Sequence, residues 1–276
     1  MRNNKPNYKI AVAMSVYRGD SLESLELAVN SILEQTYSHF DFFIALDGKV
    51  DDQVFSYLKS LDNHNVTVIY DEFNKGLAFR LNQIIDLAVK HGDYDFLARM
   101  DADDISNNLR FEKQVDFFLL NNDIDVVGSD VLEFDDLNID GFYKKMASTH
   151  EDISKKIIKR CPFNHPSVMF RMAVFNEGYR YKSELMNTQD YYLWVDLLAA
   201  GKKFANINEA LLKFRVNESF HSRRGLKKAM NDFKSRVYAF RKLDVMTVSN
   251  VVHTINLFLL RIAPTSIKKW AYKTLR

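Results

Sequence analysis

The feature that most limits the folds open to this chain is the regular alternation, over its first half, of short apolar runs with longer amphipathic ones. "YKIAVAMSVY" (8–17) is β-branched and apolar and reads as a strand buried on both faces. "SLESLELAVNSILEQ" (21–35) then sets Leu22, Leu25, Val29, Ile32 and Leu33 at helical spacing behind an Asp20 or Ser21 cap. Further strands are expected at 40–48, 66–72, 95–100 and 124–134, and helices at 75–92, closed by Gly92, and 109–122. Strands separated by helices of this length form βαβ units and a mostly parallel sheet. After residue 136 the pattern loosens into a helix near 151–160, a strand at 167–171, a helix at 189–201, a strand at 211–216 and a helical tail beyond 222. With 9 Gly and 4 Pro there is no obvious linker.

Such sheets bind ligands beyond the carboxyl ends of their strands. Asp47 and the group Asp101, Asp103 and Asp104 in "ARMDADDISNN" fall on that edge. Three neighbouring carboxylates repel, each raising the cost of ionising the next. A divalent cation of the Mg²⁺ or Mn²⁺ type relieves this, taking one or two carboxylates and completing its shell with water and substrate phosphates. A helix–loop–helix calcium loop does not fit, because Ile105 and Ser106 stand where an acid and a glycine are needed and a strand precedes it. A helix cap or a solvated turn suits one Asp better than three.

Composition excludes other classes. At 47% hydrophobic and 13% aromatic, the chain is globular. Its single cysteine, Cys161, rules out an internal disulfide framework and a cysteine-based zinc site and fits a reducing cytosol. The opening "MRNNKPNYKI" contains no secretion-signal stretch, and no window reaches the roughly 18 apolar residues of a membrane span. The net charge of +2 hides an asymmetry: residues 219–276 hold 13 Lys or Arg against two acids, so +11 there leaves −9 for the remainder. An acidic body with a basic tail suggests catalysis or metal binding in one part and an anionic surface as partner for the other. No base-stacking motif points to nucleic acid.

Five segments in one order carry a resemblance: "AVAMSVYRGDSLESLELAVNSILEQTYSHFDFFIALDG", "NKGLAFRLNQ", "ARMDADDISNNLRFEKQ", "FNHPSVMFR" and "TQDYYLW". From about residue 8 to about 222 the chain resembles the family 2 glycosyltransferases, inverting enzymes of the GT-A fold that move a sugar from a nucleotide diphosphate donor. The resemblance implies an α/β, Rossmann-like, mostly parallel sheet flanked by helices, with a helical basic C-terminal extension. It implies a catalytic domain over 1–221, with a nucleotide-sugar half (1–104) and an acceptor half (105–221), and an amphipathic extension over 222–276. It also implies roles for particular residues. Ser15, Val16 and Tyr17 begin the nucleotide site, and Asp47 matches the aspartate that contacts the donor's base. Asn74, Gly76 and Arg80 line the base and diphosphate, with Arg80 in reach of the phosphates. Asp101, Ala102 and Asp103 match the DxD motif, whose acids hold the metal and the donor's ribose or phosphates; Asp104 commonly follows. Asp190 matches the general base, with His165, Gln189 and Trp194 on the acceptor side. His221 is a third metal ligand, and Arg215, Ser222 and Arg223 share its loop. Two positions depart from the family pattern: Gln189 replaces a usual Glu, and Leu46 removes one acid of a usual "DDG".

On this reading a Mn²⁺ or Mg²⁺ ion stabilises the departing diphosphate by several kcal/mol, and Asp190 takes the acceptor hydroxyl's proton as it attacks. The plain alternative for Asp190 is a first-turn acid favoured by the helix dipole, with Thr188 or Asn187 as cap. The expected donor is a UDP-sugar carrying a hexose or N-acetylhexosamine, and the acceptor a glycan or lipid-linked glycan of a bacterial-type surface polysaccharide or lipooligosaccharide. Two other classes stay open: a non-catalytic nucleotide or divalent-ion binder on the same fold, for which Gln189 leaves room, and a nucleotidyltransferase, which lacks its Gly-rich loop here.

In the tail, Leu226, Met230, Phe233, Val237 and Phe240 form one apolar stripe among Lys and Arg. "VVHTINLFLLRIAP" (251–264) is too short and too polar to cross a bilayer, and 266–276 sets Trp270 and Tyr272 among four cations. Such segments lie on an anionic membrane surface or pack onto the body. The expected location is the cytoplasm, peripheral on the inner face of the cytoplasmic membrane.

Overall fold

The computed structural model describes residues 7–61, 65–135, 138–185, 187–216 and 226–263. Its elements run β1 (Ile10–Tyr17), α1 (Leu22–Leu33), β2 (Phe40–Asp47), α2 (Asp52–Leu61), β3 (Val66–Ile69), α3 (Leu77–His91), β4 (Phe96–Asp101), β5 (Ile105–Ser106), α4 (Arg110–Leu120), β6 (Val126–Asp135) and β7 (Asn138–Lys144). They continue with α5 (His150–Lys156), β8 (Met169–Arg171), α6 (Ala173–Asn176), α7 (Gln189–Ala199), β9 (Phe204–Arg215), α8 (Leu226–Leu243) and α9 (Val248–Ile262). The strands form one sheet ordered β3-β2-β1-β4-β8-β6-β9-β5, with β7 added beside β6. The pairs β1–β2, β1–β4, β2–β3 and β6–β9 are parallel, whereas β5, β7 and β8 run against their neighbours. The expected α/β architecture, a mostly parallel sheet flanked by helices, is present.

Strand alternation sets the two faces. In β1, Ile10, Val12, Met14 and Val16 join the layer of Leu25, Val29 and Ile32 from α1, while Ala11 and Ala13 face the opposite layer. Small Ala11, Ala13 and Ala45 let α3 seat Leu81, Ile84 and Ile85 close to the sheet. The second layer also contains Trp194, stacked on Phe170 at 5.5 Å and edge-on to Phe163 at 4.9 Å, which anchors α7.

Several elements differ from the sequence reading. α2 was not expected, and it buries only Val54 and Leu58, too few to write a helical period. Strand β7 exposes the adjacent Phe142 and Tyr143, 47% each, so no alternation marks it. β9 begins at Phe204 rather than 211, because the register jumps from Ser129–Ile207 to Asp130–Ala210 and leaves Asn208 and Glu209 unpaired. That bulge puts polar residues inside a strand and interrupts its pattern. The strand expected from 167 opens as a 3₁₀ turn at His165–Ser167, and the helix near 151–160 stops at Lys156.

α8 lies against α7, with the Arg236 guanidinium 3.9 Å over the Tyr191 ring and Tyr238 at 4.7 Å from Tyr192. Phe233, Val237 and Phe240 of the stripe expected there are half-buried. α9 folds back on α8, Phe258 meeting Phe233 at 5.7 Å. Trp270 and Tyr272 lie outside the described residues.

Candidate active site

The carboxyl ends of β1, β2 and β4 adjoin. Register sets Ser15 beside Asp101 and Tyr17 beside Asp47. Ser15 is half-buried, Val16 buried and Tyr17 37% exposed. The Tyr17 amide donates to Asp20 Oδ2 at 2.9 Å, and its ring folds over Gly19, where a Cβ would meet it at 2.4 Å. A side chain at position 19 would require the exposed Tyr17 ring to swing aside.

Past β4, carboxylate oxygens of Asp101, Asp103 and Asp104 all lie within 4.8 Å of one another. Asp101 and Asp103 are partly exposed, and Ala102 and Asp104 are buried. Arg215, expected in a loop, instead ends β9 and holds this turn: its amide donates to Asp104 Oδ1 at 2.8 Å and its Nε to the Asp103 carbonyl at 3.1 Å. Asp104 Oδ2 is buried with no hydrogen-bond partner, while Asp101 pairs with Arg99 of β4. Burial, then the charge of Asp101, push the Asp103 carboxyl up to about 6, against the opposing fields of Arg99 and Arg215. The same causes push Asp104 well above the usual carboxylate range. An all-oxygen cluster with an orphaned buried oxygen, and with two carboxyls raised despite Arg99 and Arg215, fits a Mg²⁺ or Mn²⁺ ion. His221, with Ser222 and Arg223, lies outside the described residues.

Asp47, expected at the donor's base, is held by partners within the protein. Its Oδ1 accepts from the amides of Lys75 (2.7 Å) and Gly76 (3.0 Å) and from Arg80 Nε (3.1 Å), and its Oδ2 accepts from Gly76 (3.0 Å). Gly76, at φ 89, offers no side-chain cap, so Asp47 satisfies the start of α3 from the neighbouring strand. Arg80, expected in reach of the phosphates, is fully buried, and its remaining donors reach Asp71 (2.8 Å), Gln83 (3.1 Å) and the Phe73 carbonyl (2.5 Å). It ties the 71–76 loop to β2. Asn74 is exposed on that loop, its Nδ2 donating to the Asp47 carbonyl at 3.2 Å. Beside the loop is a cavity of about 700 Å³ lined by Leu46, Lys49, Phe55, Tyr70 and Phe73. Arg80→Leu leaves the Asp47 charge buried and unpaired, at an expected cost of about 3 kcal/mol. That corresponds to a fall in Tm on the order of 10 °C by calorimetry; an unchanged Tm would mean the clamp contributes nothing.

Across the site, α7 starts from Thr188, whose φ of 68 is left-handed and strained for a β-branched residue. The Thr188 hydroxyl turns to the Asn187 carbonyl, and no side-chain cap forms on α7. Asp190 is partly exposed in the first turn; burial pushes its carboxyl up, opposed by the Tyr191 amide and Arg99. His165 Nε2 bonds the Tyr181 hydroxyl at 2.8 Å, and burial holds its pKa well below the ordinary value, so the imidazole is neutral. Gln189 is buried at the start of the helix. Trp194, expected on the acceptor side, is fully buried and serves the core instead.

Sequence reasoning missed Arg99 and Arg110. Both are buried, and Arg110 donates to the carbonyls of Pro166 (2.9 Å) and Arg99 (3.2 Å). The Arg99 guanidinium pairs with Asp101, and its charge favours ionisation of Asp103 and Asp104 as well. The available signal was a cation inside the apolar run "DFLARM".

Residues 11–180 match the model described as "Glycosyl transferase family 2". The chain belongs to this family. Over 268 residues it is 31% identical to the UDP-Gal:alpha-D-GlcNAc-diphosphoundecaprenol beta-1,3-galactosyltransferase of Escherichia coli, covering 96% of this chain and 95% of that protein. Among solved structures, S. aureus TarS in complex with UDP aligns at a TM-score of 0.66 and 17% identity, covering 92% of this chain and 71% of that one. Mannosyltransferase PcManGT from Pyrobaculum calidifontis, in complex with GDP-Man and Mn²⁺, aligns at 0.62 and 12% identity, covering 96% and 75%. These likenesses establish the GT-A fold for this glycosyltransferase.

Proposed function

We propose that this family 2 glycosyltransferase is an inverting, metal-dependent enzyme that moves a sugar from a UDP-sugar to a hydroxyl of a lipid-linked glycan. The observation that carries the reading is the acid cluster at the end of β4, three carboxylates within 4.8 Å of one another with one buried oxygen left without a hydrogen-bond partner. Asp101 and Asp103 would hold Mn²⁺ or Mg²⁺, which when bound neutralises charge on the leaving diphosphate. Ser15, Val16 and Tyr17 would frame the donor beside Ala102, with Asn74 and Gly76 on the flanking loop. Asp190 would take the acceptor hydroxyl's proton, and burial raises its pKa toward the range useful to a base near neutrality. Attack from the face opposite the diphosphate inverts the anomeric carbon. His165, held by Tyr181, and Gln189 would border the acceptor.

The E. coli relative's transfer to a diphosphoundecaprenol-linked GlcNAc supports a lipid-linked acceptor and a hexose as the moving sugar. The UDP and Mn²⁺ bound in the two solved structures support the donor and the ion. A lipid-linked acceptor would bring the enzyme to the inner face of the cytoplasmic membrane. The division into a donor half (1–104), an acceptor half (105–221) and a basic extension (222–276) belongs to the same proposal.

Thermal-shift titration of the full chain with UDP-Gal, UDP-Glc, UDP-GlcNAc and GDP-Man, with and without Mn²⁺, tests it. One UDP-sugar is expected to raise Tm by roughly 5–10 °C at a hundredfold excess over Kd, and only when Mn²⁺ is present. The ion displaces protons from the cluster, so the shift should shrink as pH falls from neutral through about 6, where the Asp103 carboxyl titrates without it. A shift with GDP-Man alone, or equal shifts without the ion, would refute the donor or the metal reading respectively. Binding without turnover on any acceptor would return the chain to the non-catalytic alternative.

A further inference from the structure

We propose that α9 is the surface by which the protein lies on an anionic lipid bilayer. This gives the proposed lipid-linked acceptor its route to the site, and rests on that reading for its purpose but not for its test. Val248, Val252, Ile255, Leu259 and Ile262 recur at steps of 4, 3, 4 and 3, which confines them to about 80° of helix circumference. All five are solvent-exposed, at 83, 49, 47, 52 and 46%. The opposite side of α9 is committed to the body: Thr254 is buried, Phe258 meets Phe233, and Arg261 pairs with Asp232 at 2.5 Å. The N-terminal end is fixed by the Thr247 cap on the Asn250 amide (3.2 Å) and by Lys159 Nζ on Ser249 Oγ (3.0 Å). These contacts to α8 and to Lys159 hold the stripe outward. The stripe on α8 is divided: Phe233, Val237 and Phe240 are half-buried, whereas Leu226 and Met230 are exposed.

Charge selects the occupant. α9 contains no acid, exposed Arg241 and Lys242 end α8 just before it, and residues 226–263 hold seven Lys or Arg against two acids, Asp232 and Asp244. An acidic bilayer therefore attracts this pair of helices. A second copy is the poorer occupant. The stripe measures about 21 Å by about 10 Å, on the order of 200 Å², against about 800 Å² per partner in a stable interface, and pairing would bring two basic segments together. Among the described residues no helix is long and apolar enough to cross a membrane, so α9 lies in the interface plane.

Co-sedimentation of the full chain with phosphatidylcholine vesicles, with and without added phosphatidylglycerol, tests this. Wild type should partition onto the phosphatidylglycerol vesicles. Val252→Glu/Ile255→Glu/Leu259→Glu should lower the partition coefficient about tenfold or more with Tm and the UDP-sugar shift unchanged, since these side chains are exposed already. Arg241→Glu/Lys242→Glu should weaken binding to the acidic vesicles alone. Wild type that ignores both vesicles, a triple variant that binds as well as wild type, or a stripe effect seen only as loss of a dimer in sedimentation equilibrium would overturn the assignment. No donor or acceptor enters the vesicle assay, so its failure leaves sugar transfer standing, and a failed transfer assay leaves the docking surface standing.

Discussion

Asp103→Asn, and separately Asp101→Asn, should lower sugar transfer by about a thousandfold or more while the protein stays folded. A bound cation supplies several kcal/mol to the leaving diphosphate, and about 1.4 kcal/mol corresponds to each tenfold in rate. The stability arm has a definite sign. The folded-state pKa of Asp103, about 6, lies above its ordinary 3.8, so the folded protein binds this proton more tightly than the unfolded chain. Without metal, this group's contribution to stability is therefore lost as pH rises from about 4 to about 6, and the ionised cluster is a burden at neutrality. Asp103→Asn removes one of three crowded charges, so its metal-free Tm at pH 7 should equal or exceed that of wild type, and it should lose the Mn²⁺-dependent shift. Wild-type turnover in either variant, or transfer undiminished by excess chelator, would remove the metal from the mechanism.

Asp190→Asn should reduce kcat by about 10²–10⁴, the usual contribution of a positioned general base, while the UDP-sugar and Mn²⁺ thermal shift persists. Burial raises the Asp190 carboxyl, so its basic form appears at higher pH than that of an exposed aspartate. The acidic limb of the kcat profile should accordingly sit above the usual carboxylate range and vanish in the variant. A variant that keeps the limb and the rate would assign the proton to another group. Loss of donor binding in the variant would instead give Asp190 a structural role at the strained Thr188 turn.

Much of this molecule is legible in the order of its residues. Strand–helix alternation is a local periodicity, and "ARMDADD" places acids at a strand end whatever surrounds them, so sheet class and acid edge follow from neighbours along the chain. β9 was only half legible because a bulge is specified by its partner β6, and the polar Asn208 and Glu209 that it looks out resemble a strand end. Contacts between distant residues left no such mark. Asp47 and Arg80 are 33 positions apart, and only the folded chain brings them into contact. Arg99 reads as an oddity within a strand until the fold buries it in an ion pair with Asp101. The two C-terminal helices make the same point: periodicity declares that each has an apolar stripe, but how much of each stripe meets a neighbour and how much meets solvent depends on available partners. Local pattern tells a segment what it can form. Burial, counter-charge and free surface are properties of pairs, and exist only once the chain has closed on itself.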